Sequence, residues 1–237
     1  MWAAQQSDVI ILNNPLDNIV TDGLVLCLDA NFTCSYPKAS TTWYDLSGNG
    51  NDGSLVNGPT FDSGNGGSIV FDGTNDSITS TAPLSSGEDT YTIESFWKTD
   101  ELKTQVIWEQ NTSTLQIGTR VCMILLNRGV GGFNGQNADF HSSVPYSINT
   151  WYHWVITVDN TLSTNKVKVY VNGNLYAQGN PSNTLNTGAD SAAIGHKIPS
   201  SSEEFNGDIS IVRVYNKTLS SDEVLQNFNA QKARFGL

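Results

Sequence analysis

A chain of 237 residues with 38% hydrophobic and only 15% charged side chains can bury a core without disulfide or metal staples. Its 12 Lys and Arg against 23 Asp and Glu leave a net charge of −11, which argues against nucleic-acid phosphates and anionic lipid as partners. No apolar run approaches membrane-spanning length, and the polar residues are weighted toward Gly, Asn, Ser and Thr, the vocabulary of short strands and tight turns.

Residues 1–20 differ in composition from the rest. The start "MWAAQQSDVIILNN" has no basic n-region, and its apolar run is only Val9, Ile10, Ile11 and Leu12. It does not read as a signal peptide, so the protein is expected to start out in the cytosol. We read residues 1–20 as an N-terminal arm and 21–237 as one domain. The three cysteines, Cys27, Cys34 and Cys122, are an odd set without a secretory signal and read as unpaired thiols.

From Gly23 the pattern is strand, turn, strand. "GLVLCLDA" (23–30) is a strongly apolar strand. "DLSGNGNDG" (45–53) is a turn-rich stretch with oxygen-bearing side chains on alternate positions. "GSIVFD" (67–72) follows a glycine break. "YTIESFWK" (91–98) alternates, with Tyr91, Ile93, Ser95 and Trp97 on one face and Thr92, Glu94, Phe96 and Lys98 on the other. "QVIWEQ" and "VCMILLN" are two more strands. "RGVGGFNGQNADFHS" (128–142) reads as a long Gly/Asn-rich loop.

"WYHWVITVD" (151–159) has apolar residues on both faces, so both are expected to be covered for part of its length. "VKVYVNGNLYA" (167–177) is a hairpin turning at Asn172-Gly173. "FNGDISIVRVY" (205–215) is a last long strand. Ser220 and Glu223 form a capping box, Val224, Leu225 and Phe228 a short apolar stripe, and Lys232 and Arg234 suit a helix C-terminus. This predicts one helix, closing an end of a sandwich or barrel of many short strands.

The order "GLVLCLDA", "TTWYDLSGNGNDGSL", "GPTFDSGNGGSIVFDGTNDSI", "YTIESFWK", "NTWYHWVITVD", "KVYVNGNLY", "AAIGH", "FNGDISIVRVYNKTLSSDEVLQNFNA" resembles the laminin-G-like domains of the concanavalin A-like lectin/glucanase superfamily, from about Gly23 to the C-terminus. Its opening and its ending, "LSSDEVLQNFNAQKARFGL", look like versions found in tailed-phage virion proteins of marine and cyanobacterial phages. The resemblance implies an all-β, two-sheet antiparallel jelly-roll with one short C-terminal helix and the N-terminal arm outside it. It also implies "YVNG" and "FNGDISIVRVY" as neighbouring core strands.

Three chemistries follow from that likeness. Glucanases of this fold carry a Glu-x-Asp-x-x-Glu pattern that sets acid and nucleophile ~5 Å apart. Glu88, Asp89 and Glu94, or Glu203, Glu204 and Asp208, do not have that spacing. His141, His153 and His196 are isolated, and His153 reads as structural; we therefore expect no enzyme. Sugar binding at a loop or concave face would use Asp or Asn beside a ring. Trp43, Tyr44, Trp97, Trp108 and Tyr146 are candidates, and the 128–142 loop offers Phe133, Asn134, Asn137 and Asp139 as the candidate glycan site.

The third chemistry is metal. "DLSGNGNDG" imitates an EF-hand start at Asp45, Ser47, Asn49 and Gly50, but position 12 is Val56 where Glu is needed. We expect no cofactor, with Ca²⁺ bound only if Asp45 meets Asp72 or Asp76 in space. The expectation is thus a non-enzymatic protein on a virion surface, assembled in the host cytoplasm. Val9, Ile10, Ile11 and Leu12 would dock on a capsid or tail protein by strand addition. The protein would be a homo-oligomer with host-surface polysaccharide as a further partner, and neither nucleic acid nor membrane.

Overall fold

The computed structural model describes residues 14–112, 116–127, 129–198 and 203–237. Within them the strands are β1 (Leu24–Asp29), β2 (Thr42–Trp43), β3 (Gly53–Val56), β4 (Thr60–Asp62), β5 (Ser68–Asp72), β6 (Ser77–Ser80), β7 (Thr90–Thr99) and β8 (Gln105–Asn111). They continue as β9 (Val121–Leu126), β10 (Val130–Asn134), β11 (Phe140–Pro145), β12 (Tyr152–Asp159), β13 (Val167–Val171), β14 (Asn174–Gly179), β15 (Ser191–Ile194) and β16 (Asn206–Tyr215). One helix, α1 (Ser221–Phe235), follows.

The strands form two eight-stranded antiparallel sheets. The first runs β14-β13-β12-β7-β16-β5-β4, with β1 also on β16, and the second runs β11-β10-β9-β8-β15-β6-β3-β2. This is the expected two-sheet jelly-roll with its C-terminal helix. The 128–142 stretch is not a loop but the β10–β11 hairpin. Nor are "YVNG" and "FNGDISIVRVY" neighbours: β12 and β7 lie between β13 and β16.

Strand alternation decides the interior. Tyr91, Ile93 and Trp97 of β7 and Trp154, Ile156 and Val158 of β12 face Trp108, Met123, Leu125 and Phe133 of the second sheet. The Trp97 ring meets Trp154 edge-on at 5.0 Å and Tyr146 at 5.7 Å between centroids. Each such side chain contributes about 1.5–3 kcal/mol by burial. Asn172 and Gly173 both take positive φ, 49° and 79°, which is the primed turn the hairpin needs. A Cβ at Gly173 would stand 2.7 Å from the Phe228 ring, so the turn also lets α1 approach.

The outer face of the first sheet is apolar too, carrying Phe96, Val155, Tyr170, Ile211 and Tyr215. Helix α1 lies across this face instead of closing an end of the sandwich. Val224, Asn227, Phe228, Gln231 and Phe235, on one helical face, are buried there. Phe235 stacks on Phe96 at 4.7 Å and Phe228 on His153 at 5.4 Å. The capping box at Ser220 and Glu223 starts the helix, and left-handed Gly236 (φ 68°) ends it with its N–H on the Lys232 carbonyl.

Under the helix sits a buried polar cluster. Arg213 Nη1 donates to Glu94 Oε1 at 2.9 Å, and both side chains are fully buried. His153 Nε2 lies 3.0 Å from the same oxygen. Asn227 Nδ2 donates to Glu94 Oε2 at 2.7 Å and to the Tyr215 hydroxyl at 2.9 Å. The cluster also fixes the incoming chain: Val20 N–H donates to Asn227 Oδ1 at 2.8 Å, and Tyr215 donates to the Val20 carbonyl at 3.1 Å. Leu16, Ile19 and Val20, which composition groups with the arm, therefore pack with the domain. Val9, Ile10, Ile11 and Leu12 lie outside the described residues.

Cys27 and Cys122 are buried and Cys34 is exposed. Burial pushes the Cys27 thiol up to about 12. The turn around Cys34 is closed by Ser35, whose hydroxyl accepts from Asp29 N–H at 3.2 Å and donates to the Tyr44 carbonyl at 2.7 Å.

Burial opposes the charge on Glu94, but Arg213, with His153 and Asn227, outweighs it and holds the carboxyl below its ordinary 4.5. Its stabilisation is therefore full above pH 4.5 and is lost as pH falls through the depressed value. Glu94→Gln leaves Arg213 buried without a counter-charge, which costs about 3–5 kcal/mol and lowers Tm on the order of 10 °C. Calorimetry across pH 3–7 should show that drop at neutral pH and a shallower acid limb in the variant. An unchanged Tm would contradict the assignment.

Candidate functional site

The oxygen-rich segment 45–53 is fully engaged in structure. Asp45 Oδ1 accepts from the Cys27 and Ser47 N–H groups at 2.9 Å each. Its Oδ2 accepts from the Ser47 hydroxyl at 2.7 Å and from Asn51 N–H at 3.0 Å. Asn49 and Asn51 amides donate to the Leu24 and Val25 carbonyls at 3.2 and 2.8 Å. The segment thus covers the edge of β1 that β16 leaves open. Asp72 and Asp76 serve their own turn: Thr74 N–H donates to Asp72 and Asp72 N–H to Asp76. Among the described residues no group of three or more His, Cys, Asp or Glu is placed to hold a metal.

The four glycan candidates on 128–142 build the hairpin. Phe133 is fully buried in the inter-sheet core and is no platform for a sugar. Asn134 Oδ1 accepts from Arg120 Nη1 at 3.0 Å. Asp139 Oδ1 accepts from Gly135 N–H at 2.9 Å, and the Asn137 carbonyl accepts from Asn183 Nδ2 at 2.6 Å. Of the other candidate rings, Trp43, Trp97, Trp108 and Tyr146 are buried, and only Tyr44 is exposed.

The interior strand carboxylates are occupied as well. Arg120 Nε donates to Glu109 Oε2 at 2.6 Å and its Nη2 approaches Glu203 at 3.4 Å, while Lys197 holds Glu203 at 2.8 Å. Ile198 N–H donates to Glu109 Oε1 at 3.0 Å. His196 lies 3.9 Å from Glu204, and His141 is exposed. Glu94 and Glu109 are each paired with a buried arginine; that pairing holds the Glu94 carboxyl below its ordinary range, whereas at Glu109 burial outweighs Arg120 and pushes the carboxyl up.

One open pocket, of about 310 Å³, sits at the rim of the second sheet, lined by Ser86, Gln116, Thr119, Asn186, Thr187 and Asp190 among others. Three chain segments build it. Gln110, on β8, clamps the first segment by accepting from Leu84 N–H at 3.0 Å and donating to its carbonyl at 2.9 Å. Gly87 N–H donates to the Thr187 carbonyl at 2.7 Å, Asn186 N–H to Gly118 at 3.0 Å and Gly188 N–H to Thr119 at 2.9 Å. Thr119 closes its own turn through its hydroxyl, 2.9 Å from the Gln116 carbonyl. The walls are thus backbone-zipped, which holds the side chains in place.

A second hollow, of about 370 Å³, is lined by Asp52, Ser54, Thr79, Ser80, Thr81 and Asp190. It lies on the outer face of the second sheet, where Ser54 sits opposite Thr79 and Thr42. Asp190 borders both hollows. Sequence reading missed this site because its residues come from three turns far apart in the chain. The one signal is "NTLNTGAD" (183–190), a polar connection between β14 and β15 without alternation.

The family model of laminin-G-like domains in the concanavalin A-like lectin/glucanases superfamily matches residues 72–225. The chain belongs to that family. Among solved structures, Trypanosoma rangeli sialidase in complex with sialic acid superposes with a TM-score of 0.65 at 16% identity, over 90% of this laminin-G-like chain and 33% of the sialidase. Botulinum neurotoxin type C, whose passage into cells is dependent upon interaction with two ganglioside molecules, gives 0.66 at 14% identity over 90% and 52%. The binding domain of Paraclostridial Mosquitocidal Protein 1 gives 0.67 at 18% identity over 89% and 52%. These likenesses are of fold, and the chain spans about a third of the sialidase and half of the toxin chains. No curated protein matches it in sequence.

Gly118 has φ 81°, and a Cβ there would run into the Thr184 carbonyl and stand 3.0 Å from Asn186 nitrogen. Gly118→Ala should cost about 1–3 kcal/mol by prying the pocket walls apart. Gly48→Ala, at φ 87° with nothing within 4 Å, carries the backbone strain alone and should cost less. Urea denaturation of both variants measures the difference; equal losses would contradict the close packing at Gly118.

Proposed function

We propose that this chain is a non-catalytic, glycan-reading display module of a tailed-phage virion, held to a capsid or tail protein through its N-terminal segment. The observation that carries the glycan reading is the rim pocket. It is pre-formed, open and lined by hydroxyls and side-chain amides, the groups that exchange hydrogen bonds with sugar hydroxyls. Two fold relatives, the sialidase bound to sialic acid and the ganglioside-dependent neurotoxin, support a sugar ligand for this scaffold. The non-catalytic reading rests on Glu94 and Glu109, both held by arginine. The virion setting rests on the resemblance of the opening and C-terminal segments to phage proteins.

Display in many copies turns a weak site into a useful one, since linked sites bind by avidity. The anchor would be residues 1–13, because the chain from Leu16 onward is packed into the domain. Two assays test the reading. A glycan array probed with the multimerised domain should show binding to host-type polysaccharides, with no reducing sugar released from laminarin-type glucans. Deleting residues 1–13 should leave Tm unchanged and abolish incorporation into particles. Glucan hydrolysis, a silent array or undiminished incorporation would each overturn its part of the proposal.

A further inference from the structure

A further hollow, of about 340 Å³, is lined by Ser163, Lys166, Asn180, Pro181, Asn183 and Thr184. Two connections build it, one between β12 and β13 and one after β14. Asn180 ties them together. Its Oδ1 accepts from Lys166 N–H at 3.3 Å, and its Nδ2 donates to the Ser163 carbonyl at 3.4 Å. Asn183 Nδ2 donates to the Asn137 carbonyl at 2.6 Å, which braces the second connection against the β10–β11 hairpin. The walls are therefore set before any ligand arrives.

What distinguishes this hollow is an uncommitted cation. Many of the protein's lysines are spent on carboxylates, as Lys98 is on Asp208 and Lys197 on Glu203. Lys166 is in no ion pair among the described residues. Its Nζ donates to Asn160 Oδ1 at 3.1 Å, and Asn160 in turn donates to Asp89 at 3.0 Å. An ammonium has three N–H groups, so donors are left for a ligand. Lys168, opposite Gln178, follows two positions on, hence on the same face and about 7 Å away. It too is in no ion pair among the described residues. Residues 160–189 hold no Asp or Glu, in a chain with 23 of them. The net charge of −11 disfavours a densely charged polymer, but one anionic group on Lys166 gains a charge-assisted hydrogen bond.

The rest of the lining suits sugar hydroxyls. The Ser163 and Thr184 hydroxyls and Asn183 Oδ1 make no hydrogen bond within the described protein. The volume lies at the small end of ligand sites, which span roughly 300–1,000 Å³, and fits one sugar unit better than a chain of them. Building on the glycan reading above, we infer that this hollow is a subsite for a single acidic sugar. Its carboxylate or sulfate lies on Lys166, and its hydroxyls reach Ser163, Asn183 and Thr184. Lys168 adds attraction from outside the hollow.

Isothermal titration of the full chain at low salt tests this with lactose, 3′-sialyllactose and lactose 3′-sulfate, which share one neutral core. At least one acidic ligand should bind at least about tenfold tighter than lactose, and the tighter of the two identifies the anionic group. Lys166→Gln keeps the backbone N–H that Asn180 holds, so Tm should stay and the acidic ligand should fall to the level of lactose. Lys168→Gln should weaken it about twofold to threefold. Thr184→Ala should weaken it about threefold to tenfold with Tm again unchanged.

Lactose bound as tightly as both acidic ligands would overturn the charge argument. Acidic binding untouched by Lys166→Gln and Thr184→Ala would overturn the location. An array that shows neutral glycans bound and acidic ones ignored would leave the glycan reading standing and sink this inference alone. Silence toward all three ligands, on the array as well, would remove both.

Discussion

The pair between Glu94 and Arg213 is the interaction on which the rest of this architecture turns. Two charges with fully buried side chains hold adjacent strands of the first sheet, on a largely apolar face. A buried pair of this kind gains little net stability over an apolar one, but losing one partner is costly. Its effect is to specify what packs on it. Only a helix that offers an amide at Asn227 satisfies the remaining Glu94 oxygen, and only a chain passing at Val20 satisfies that amide in turn. Sheet, helix and incoming segment are thereby fixed to one another.

That arrangement divides the molecule by face. The outer face of the first sheet is occupied by α1 and residues 16–20. The outer face and rim of the second sheet carry the open hollows around Asp190. Function on a rigid sandwich commonly sits in such connecting segments, and here three of them are zipped together by backbone hydrogen bonds.

Local features were readable from sequence because their physics is local. Asn172-Gly173 needs two positive φ values, and Ser220 with Glu223 needs only one helical turn; both appear as expected. Alternation in β7 grouped Ile93 with Trp97, and that face is the inner one; residues 151–159 were read as covered on both faces, and Trp154 and Val155 are buried on opposite sides of β12. Features that depend on long separations were not readable. Glu94 stood out only as a charge on a strand, and its partner lies 119 residues away. Helix α1 was expected to close one end of the sandwich; it lies across the sheet instead, and Asn227 and Gln231 extend its buried face while reading as polar. Phe133 among glycines looked like an exposed ring, yet strand pairing with β9 turns it inward. The oxygens of residues 45–53 invited a calcium site, but both Asp45 oxygens accept from N–H and hydroxyl groups of β1 and the segment itself, while the Asn49 and Asn51 amides donate to β1 carbonyls.

We propose that buried charge builds this protein while the polar rim of the second sheet carries recognition. Backbone and side-chain amide shifts of the isotope-labelled chain, followed during titration with an oligosaccharide, measure this. Perturbations are expected at Gln116, Asn186 and Thr187, with the signals of Asn227 and Val20 unmoved. Perturbations centred instead on Asn134, Asn137 and Asp139 of the β10–β11 hairpin would contradict it.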